Sequence, residues 1–259
     1  MIENKKKRLF FDIETSPNIG FFWSAGYKLN IPYSNIIKER AIICICYKWE
    51  GDDKVYSLNW DNNQDDKKML EKFMVVANEA TELVGHNGDR FDLPWIRTRC
   101  LYHRIPVFPT YTTIDTLKHS RSKFRFNSNR LDYISQFLKV GEKLETGFDL
   151  WRSIVLDKDK EALEKMITYC KNDVVILEKV HHELVNYIPH KTHYGVSNGG
   201  EKYSCPECGS NNLRFSQRRY TSAGTPRIQL QCNECHKYHT VSNTAYEKKL
   251  AAEDTAAEL

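Results

Sequence analysis

The sequence lacks long apolar runs. None approaches the 18 or so consecutive residues that a membrane-spanning helix requires, so we expect no membrane span. The amino-terminal stretch MIENKKKRLFFDIET has a basic cluster, but its apolar run is too short for a secretory signal and is interrupted by Asp12. Internal repeats are also lacking. With no export signal, the sequence predicts a protein of the reducing cytoplasm.

The composition is that of a folded protein with an uneven distribution of charge. Its 259 residues, 41% hydrophobic and 12% aromatic, are enough for one sizeable domain and a small appendage. The formal net charge is only +4, but residues 190–250 carry nine Lys or Arg against four Glu, whereas residues 251–259 are acidic. The basic C-terminal quarter favours a polyanionic partner.

The predicted elements imply an α/β fold. A first strand at residues 8–14 is followed by two strands, RAIICICYKW and KVYSLNW, which the turn EGDD joins into a hairpin. Helical and strand patterns then alternate, as expected of a mixed sheet covered by helices. We predict one domain over residues 1–188, a linker over 189–202, a small module over 203–250 and a disordered acidic tail over 251–259.

Two carboxylates occur within the first strand, in RLFFDIETSP. Asp12 and Glu14 are two residues apart, so their side chains would project from the same face of the strand. Burying both there would be costly without a counter-charge. Two simpler explanations remain open. Either the strand ends near Ile13 and leaves both acids in a solvated turn, or Glu14 pairs with a nearby Lys or Arg.

Two later segments place further acids beside apolar patterns. Asp92, in LVGHNGDRFDLPWI, follows a strand and begins a helix, where it could equally be a helix cap. Tyr169 and Asp173, in MITYCKNDVVIL, are four residues apart and share one helix face, which could be a partly exposed edge. If the four acids converge, they would repel one another unless cations bind among them. Such carboxylates suit Mg²⁺ or Mn²⁺, and two such ions can promote phosphodiester hydrolysis.

Three motifs together resemble a known family. FDIET, HNGDRFDLPW and YCKND are similar, in this order, to the three motifs of the DEDD, or DnaQ-like, 3′–5′ exonucleases. A tyrosine four residues before the last aspartate marks the DEDDy branch of that family. Residues 8–188 resemble in particular the proofreading exonuclease domain of family B DNA polymerases. The resemblance implies an RNase H-like fold and release of nucleoside 5′-monophosphates from the 3′ end of single-stranded DNA.

The resemblance also implies roles for individual residues. Two Mg²⁺ or Mn²⁺ ions would be held by four acids and bridged by the first of them: Asp12, Glu14, Asp92 and Asp173. Tyr169 would orient the attacking water or help to deprotonate it. Contacts to the 3′-terminal nucleotide are expected from Thr15, Asn87 and Phe91.

Two further stretches could contact nucleic acid through aromatic or basic residues. The insert NIGFFWSAGYKLNIPYSNII has rings that could stack on single-stranded bases or could pack the loop onto the sheet, namely Phe21, Phe22, Trp23, Tyr27 and Tyr33. The stretch KHSRSKFRF, residues 118–126, interleaves Lys, Arg and Phe. It suits a track for a nucleic-acid backbone as well as a solvated loop.

Four of the eight cysteines form two C-x-x-C pairs. The spacing C-x2-C-x23-C-x2-C resembles a zinc ribbon, with one structural Zn²⁺ on Cys205, Cys208, Cys232 and Cys235. Zinc binding would fold a module that has little core of its own. A redox-active pair is the alternative, and His236 or His239 could substitute as a ligand. The remaining cysteines lie in apolar segments and are expected to be core residues: Cys44, Cys46, Cys100 and Cys170.

The segment between the two cysteine pairs is basic. Its arginines, with Tyr220, would decorate the ribbon in a way that suits phosphate contact: Arg214, Arg218, Arg219 and Arg227. A surface for a protein partner and a purely structural ribbon are the alternatives.

The sequence thus predicts a stand-alone 3′–5′ exonuclease, because no segment long enough for a polymerase follows the predicted ribbon. One alternative is an RNA 3′–5′ exonuclease, since the motifs bind metal and phosphate and do not read the sugar. Another is a nucleic-acid-binding or recruiting module with weak or no nuclease activity. The expected partners are single-stranded nucleic acid, DNA before RNA, and a polymerase or another replication or repair protein.

Overall fold

The computed structural model describes residues 7–24, 26, 29–107, 110–142, 144 and 146–257. Tyr27, one of the predicted stacking rings, and the last two residues of the predicted tail lie outside this set. The chain divides into two compact units, one of residues 7–182 and one that holds the residues from 183 on. Among the described residues, none of the helices combines the length and the apolar character that a membrane crossing needs.

The first unit contains seven strands and six helices among its described residues. The strands are β1 (Arg8–Thr15), β2 (Ile19–Gly20), β3 (Ile36–Lys38), β4 (Ile42–Trp49), β5 (Tyr56–Asn59), β6 (Glu82–Gly85) and β7 (Thr113–Asp115). The helices are α1 (Lys67–Glu79), α2 (Asp92–Tyr102), α3 (Thr116–Lys123), α4 (Leu131–Leu138), α5 (Phe148–Arg152) and α6 (Lys160–Leu184). A short π-helix, Ser153–Asp157, follows α5.

Five of these strands form one mixed sheet in the order β5-β4-β1-β6-β7. The pairs β5/β4 and β4/β1 are antiparallel, as the predicted hairpin requires, whereas β1/β6 and β6/β7 are parallel. Parallel neighbours need crossover connections, and α1 and α2 provide them. The predicted α/β class, with helices covering a mixed sheet, is confirmed.

Strand β1 reads as a nearly continuous apolar run because both of its faces are covered. Leu9, Phe11 and Ile13 lie in the main core, together with buried residues of α1 and α2. The alternate residues face α6 on the other side of the sheet. There the ring of Phe10 lies 5.3 Å from that of His181, centroid to centroid. Asp12 and Glu14 therefore lie on the α6 side of the sheet.

A buried charge cluster fixes the start of β1 against β6. Arg8 and Glu82 are register partners in the two strands, and both are almost fully buried. The Arg8 guanidinium donates to Glu82 Oε2 at 2.8 and 3.0 Å and to Glu50 Oε1 at 2.7 Å. A buried charge is tolerated when it is paired and hydrogen-bonded in this way. The cluster sets the parallel register that places the carboxyl ends of β1 and β6 at one edge.

The second unit is a small sheet with one long helix. Its elements are α7 (Tyr194–Ser197), β8 (Leu213–Tyr220), β9 (Pro226–Cys232), β10 (Tyr238–Ser242) and α8 (Asn243–Ala257). The antiparallel sheet has the order β10-β9-β8. The unit begins several residues before the predicted linker, which itself contains α7. Most of the segment predicted as a disordered tail belongs to α8, since its alanines and charged residues favour a helix and no Gly or Pro ends it.

Candidate active site

The fold gathers acidic residues at one edge of the five-stranded sheet. Strands β1, β6 and β7 run parallel, so their carboxyl ends meet at the same edge. Asp12 and Glu14 are near the end of β1, Asp92 begins α2 after β6, and Asp115 is the last residue of β7. Helix α6 passes the same region on the face of the sheet to which Asp12 points. Four separate elements thus deliver carboxylates to one place.

Three of the predicted ligands are brought into direct proximity. Carboxylate oxygens of Asp12, Glu14 and Asp173, here called the acid cluster, all lie within 4.8 Å of one another. Asp173 is 3% exposed, and the other two are partly exposed. Three negative charges at such distances are costly without a cation among them, and carboxylate oxygens are the ligands that Mg²⁺ and Mn²⁺ prefer. The residues present therefore fit a hard divalent ion.

The fourth predicted acid, Asp92, adjoins the cluster through the backbone. Its Oδ1 accepts a hydrogen bond of 3.1 Å from the amide of Ile13, the residue between Asp12 and Glu14. Burial raises the pKa of Asp92 to about 7; backbone amides oppose this shift, and the charge of Asp115 adds to it. A cation near Asp92 would favour its charged form.

A cavity of about 800 Å³ opens beside the acid cluster. Asp12, Tyr169 and Asp173 form part of its wall. Tyr169 precedes Asp173 by one turn of α6 and is itself largely buried, so its ring is held in place against the cavity. Helix periodicity thus places the phenol and the carboxylate on the same side, as the sequence predicts.

The structure shows other contacts for the residues that are predicted to contact a terminal nucleotide. The carbonyl of Thr15 accepts a hydrogen bond of 3.1 Å from the Trp151 indole. Asn87 has a φ of +71°, and its carbonyl accepts from the amide of Phe91, whose ring packs against the main core. Thr15, Asn87 and Phe91 are not among the described residues that line the cavity. Their predicted substrate contacts stay predictions.

Two residues that the sequence analysis missed support this region. Asp115 accepts from the amides of Asn87 at 3.0 Å and Asp89 at 3.4 Å, and so holds the loop that leads into α2. His86 bridges Thr116 Oγ1 and the carbonyl of Asn129 at 2.9 Å each, and lines the cavity. Asp115 follows an apolar strand, as Asp92 does, and that signal could have found it.

The cavity also has a basic and amide-rich wall. It is formed by α3, α4 and the segment between them, with Arg121, Asn127, Asn129, Arg130 and Gln136 among the lining residues. Guanidinium groups and amides are suited to phosphate oxygens and base edges. Just outside, Phe126 lies between Phe124 and Phe137, with ring centroids 5.2 and 5.3 Å away. The stretch 118–126 thus supplies both a cavity residue and an aromatic surface.

The four paired cysteines of the second unit also converge. Their sulfur atoms lie within 4.8 Å of one another, with 3.5 Å between Cys205 and Cys235 and between Cys208 and Cys232. Four sulfurs at about 2.3 Å from one tetrahedral ion would be roughly 3.8 Å apart, so the set fits Zn²⁺. The predicted substitutes do not belong to the cluster: His239 Nε2 bonds the carbonyl of Tyr203 at 3.0 Å, and His236 is absent from the group.

The thiols of this cluster differ in acidity before any metal binds. A hydrogen bond with the Cys235 side chain lowers the pKa of Cys205 to about 4, whereas burial raises the pKa of Cys208 to about 11. The pKa of Cys235 is raised chiefly by its hydrogen bond with Cys205. Clustered thiols share protons because several adjacent thiolates would repel. A divalent cation bound among the thiolates would offset this repulsion.

The strand register divides the predicted phosphate-binding arginines between two faces. A bulge between Phe215 and Gln217 shifts the pairing of β8 with β9. As a result, Arg219 lies opposite Arg227, whereas Arg218 lies opposite the buried Ile228. One face, here called the arginine face, therefore presents Arg214, Gln217, Arg219, Arg227, Gln229 and Gln231. Arg218 belongs to the other face, on which Phe215 packs against Tyr246 of α8.

The predicted stacking rings of residues 18–37 are mostly exposed. Phe21, Phe22, Trp23 and Tyr33 each leave more than half of their surface accessible. This exposure argues against rings that pack the loop onto the sheet, which was the alternative explanation for them.

The comparisons with known proteins agree with this architecture. A family model described as the RNase H superfamily matches residues 9–185. No curated protein matches the chain. Among solved structures, a family B DNA polymerase from the hyperthermophilic archaeon Pyrobaculum calidifontis is similar, with a TM-score of 0.54 and 16% identity over 70% of this chain and 24% of the polymerase. This chain thus spans about a quarter of that protein, and the likeness is one of fold. Because the RNase H superfamily model matches more than half of this chain, the chain belongs to that superfamily.

Proposed function

We propose that this protein is a 3′–5′ exonuclease of the DEDDy branch, dependent on two divalent metal ions, that hydrolyses single-stranded DNA to nucleoside 5′-monophosphates. Membership of the RNase H superfamily supports a nuclease. The observation that carries the proposal is the convergence of Asp12, Glu14 and Asp173 beside a cavity, whose wall includes Asp12 and Asp173. Its volume of about 800 Å³ is within the usual range of ligand pockets, about 300–1,000 Å³.

Each residue of the site has a distinct task in this proposal. The acid cluster, Asp12 included, and Asp92 would hold the divalent ions. Such ions, when bound, supply a polarised water nucleophile and stabilise the leaving oxygen of a phosphodiester. Tyr169 orients the water, because a phenol with an ordinary pKa near 10 is a poor base at neutral pH. Arg121 and Arg130 in the cavity wall receive phosphate oxygens of the strand.

The expected reaction is a stepwise shortening from the 3′ end. With 5′-labelled single-stranded DNA, Mg²⁺ or Mn²⁺ should produce a ladder of products, and EDTA should abolish it. A circular single strand of the same composition should stay intact, because it offers no 3′ end. RNA of matched sequence should be shortened more slowly. The measurement is gel separation of the labelled products over time.

Other outcomes distinguish the alternatives. Faster shortening of RNA would favour the RNA exonuclease, and cleavage of the circle would show an endonuclease. If neither strand is cleaved but DNA is bound, the protein is a recruiting module, and the proposal is wrong.

For the second unit, we propose a zinc ribbon that binds the sugar-phosphate backbone of the substrate strand. Its four cysteines fit one structural Zn²⁺, and cysteine ligands of this kind persist in a reducing compartment such as the cytoplasm. The observation that favours backbone binding is the pair Arg219 and Arg227. Like charges directly opposite each other on neighbouring strands destabilise a sheet, and a polyanion across them removes that cost. A protein with a matching acidic surface, such as a replication or repair partner, is the alternative ligand.

The arginine face can be tested through salt dependence. Replacing both Arg219 and Arg227 by Gln should weaken single-stranded DNA binding and lower the slope of log K against log salt by about 1.4, or roughly 0.7 per lost phosphate contact. Arg218→Gln is the control, because it removes one positive charge from the opposite face of β8. Its slope should stay close to that of the unsubstituted chain. If Arg218→Gln lowers the slope as much as the double replacement does, DNA does not bind specifically to the arginine face.

A further inference from the structure

A second group of potential metal ligands lies behind the acid cluster. Cys44 and Cys46 are two residues apart on β4, so their side chains share one face of the sheet. The antiparallel register with β1 pairs Cys44 with Glu14 and Cys46 with Asp12. Because paired residues point to the same face, both thiols lie on the α6 side of the sheet. On α6, Cys170 immediately follows Tyr169.

The three thiols meet in a fully buried position. The sulfur atoms of Cys44, Cys46 and Cys170, here called the thiol cluster, lie within 4.8 Å of one another, and all three residues are 0% exposed. The thiol of Cys46 donates to the carbonyl of Ile167 at 3.7 Å. The thiol of Cys170 donates to Asp12, at 3.5 Å to its carbonyl and at 3.7 Å to carboxylate Oδ2. The cluster therefore touches the acid cluster directly.

We propose that the thiol cluster is a binding site for one thiophilic cation, of the class of Cu⁺, Zn²⁺ and Cd²⁺. Three sulfurs at about 2.3 Å from a common ion are roughly 4 Å apart, and the sulfur atoms of the thiol cluster already lie within 4.8 Å of one another. Thiolate is a soft ligand that selects these ions, whereas the carboxylates alongside select Mg²⁺ and Mn²⁺. Two neighbouring ligand sets thus sort cations by chemical type.

Binding at the thiol cluster should be coupled to the acid cluster. Cys170 is shared between the two sites, because its sulfur lies 3.7 Å from Asp12 Oδ2 and Asp12 faces the cavity. A cation held by Cys170 would therefore sit next to a ligand of the acid cluster. This consequence rests on the proposed nuclease function, whereas the binding site itself does not.

The test uses the full chain and Cd²⁺ alone as the probe, in excess Mg²⁺ to occupy the carboxylates. After gel filtration, the Cd²⁺ content per chain is measured by elemental analysis. The unsubstituted chain should hold one more Cd²⁺ than Cys46→Ser or Cys170→Ser. Cys100→Ser is the control, because Cys100 is buried on α2 and outside the cluster. Its Cd²⁺ content should equal that of the unsubstituted chain.

A spectroscopic measurement on the unsubstituted chain tests cation binding at the thiol cluster even if a variant fails to fold. The unsubstituted chain loaded with ¹¹³Cd should give two sulfur-ligated resonances, one from the four-cysteine cluster and one from the thiol cluster. A single sulfur-ligated resonance, or equal Cd²⁺ content in all four chains, would overturn the proposal. Loss of nuclease activity plays no part in either readout, so failure here and failure of the exonuclease proposal are separate results.

Discussion

Replacing Asp12 by Asn should lower the rate of 3′-end cleavage on the order of a thousandfold. The substitution keeps the volume of the side chain but removes one charge from the acid cluster, whose oxygens lie within 4.8 Å of one another. Metal ions at such a site contribute several kcal/mol of charge stabilisation. A loss of about 4 kcal/mol corresponds to three factors of ten in rate. The measurement is single-turnover cleavage of 5′-labelled single-stranded DNA at saturating Mg²⁺.

A matched variant separates this effect from a general loss of negative charge. Glu71 is exposed on α1, which covers the opposite side of the sheet, and Glu71→Gln should cleave at the rate of the unsubstituted chain. Mn²⁺ binding, measured by electron paramagnetic resonance, should weaken in Asp12→Asn alone. If that variant retains more than a tenth of the activity, Asp12 does not hold an essential metal ion.

The sequence predicts the first unit well because its constraints are local and strong. Strands covered on both faces read as apolar runs, as in β1 and β4, and the amphipathic pattern of α1 is equally plain. The acidic residues are conspicuous in these apolar segments, because carboxylates do not contribute to an apolar core. Asp12, Glu14 and Asp173 were therefore predictable as a group, before any contact among them was known.

Features that depend on tertiary geometry were not predictable in this way. Arg130 and Gln136 reach the cavity wall from a short helix and the segment before it, whose arrangement no periodicity specifies. For Asn87 and Phe91, the structure shows a backbone hydrogen bond between them and packing of the Phe91 ring against the core, and their predicted nucleotide contacts stay predictions. A motif identifies residue types at a spacing, whereas the fold decides where each side chain points.

The arginines of β8 show how one residue can change such a prediction. Strict alternation along a strand would place Arg214 and Arg218 on one face and Arg219 on the other. The bulge between Phe215 and Gln217 inserts one extra residue, so that Arg214 and Arg219 share a face instead. Nothing in the local composition signals a bulge at this position.

Removal of zinc should unfold the second unit while the five-stranded sheet persists. Its core has few buried side chains, and two of them, Cys205 and Cys232, belong to the four-cysteine cluster itself. Structural zinc contributes about 10–16 kcal/mol in small modules at neutral pH, which is comparable with the entire stability of an ordinary domain. So few buried side chains cannot supply a comparable stabilisation free energy. The second unit should therefore unfold when the zinc ion is removed.

Hydrogen exchange measured by mass spectrometry can show which segments of the chain unfold. In Cys232→Ser, amides of β9 and β10 should exchange at rates close to those of an unfolded chain, whereas those of β1 and β4 should keep their protection. This variant is preferable to a chelator, because a chelator would also strip the carboxylates of metal. Cys100→Ser, which alters a buried cysteine of the first unit, should leave β9 and β10 protected. Protected β9 and β10 amides in Cys232→Ser would mean that the hydrophobic core alone holds the module, and that the four cysteines are not a structural zinc site.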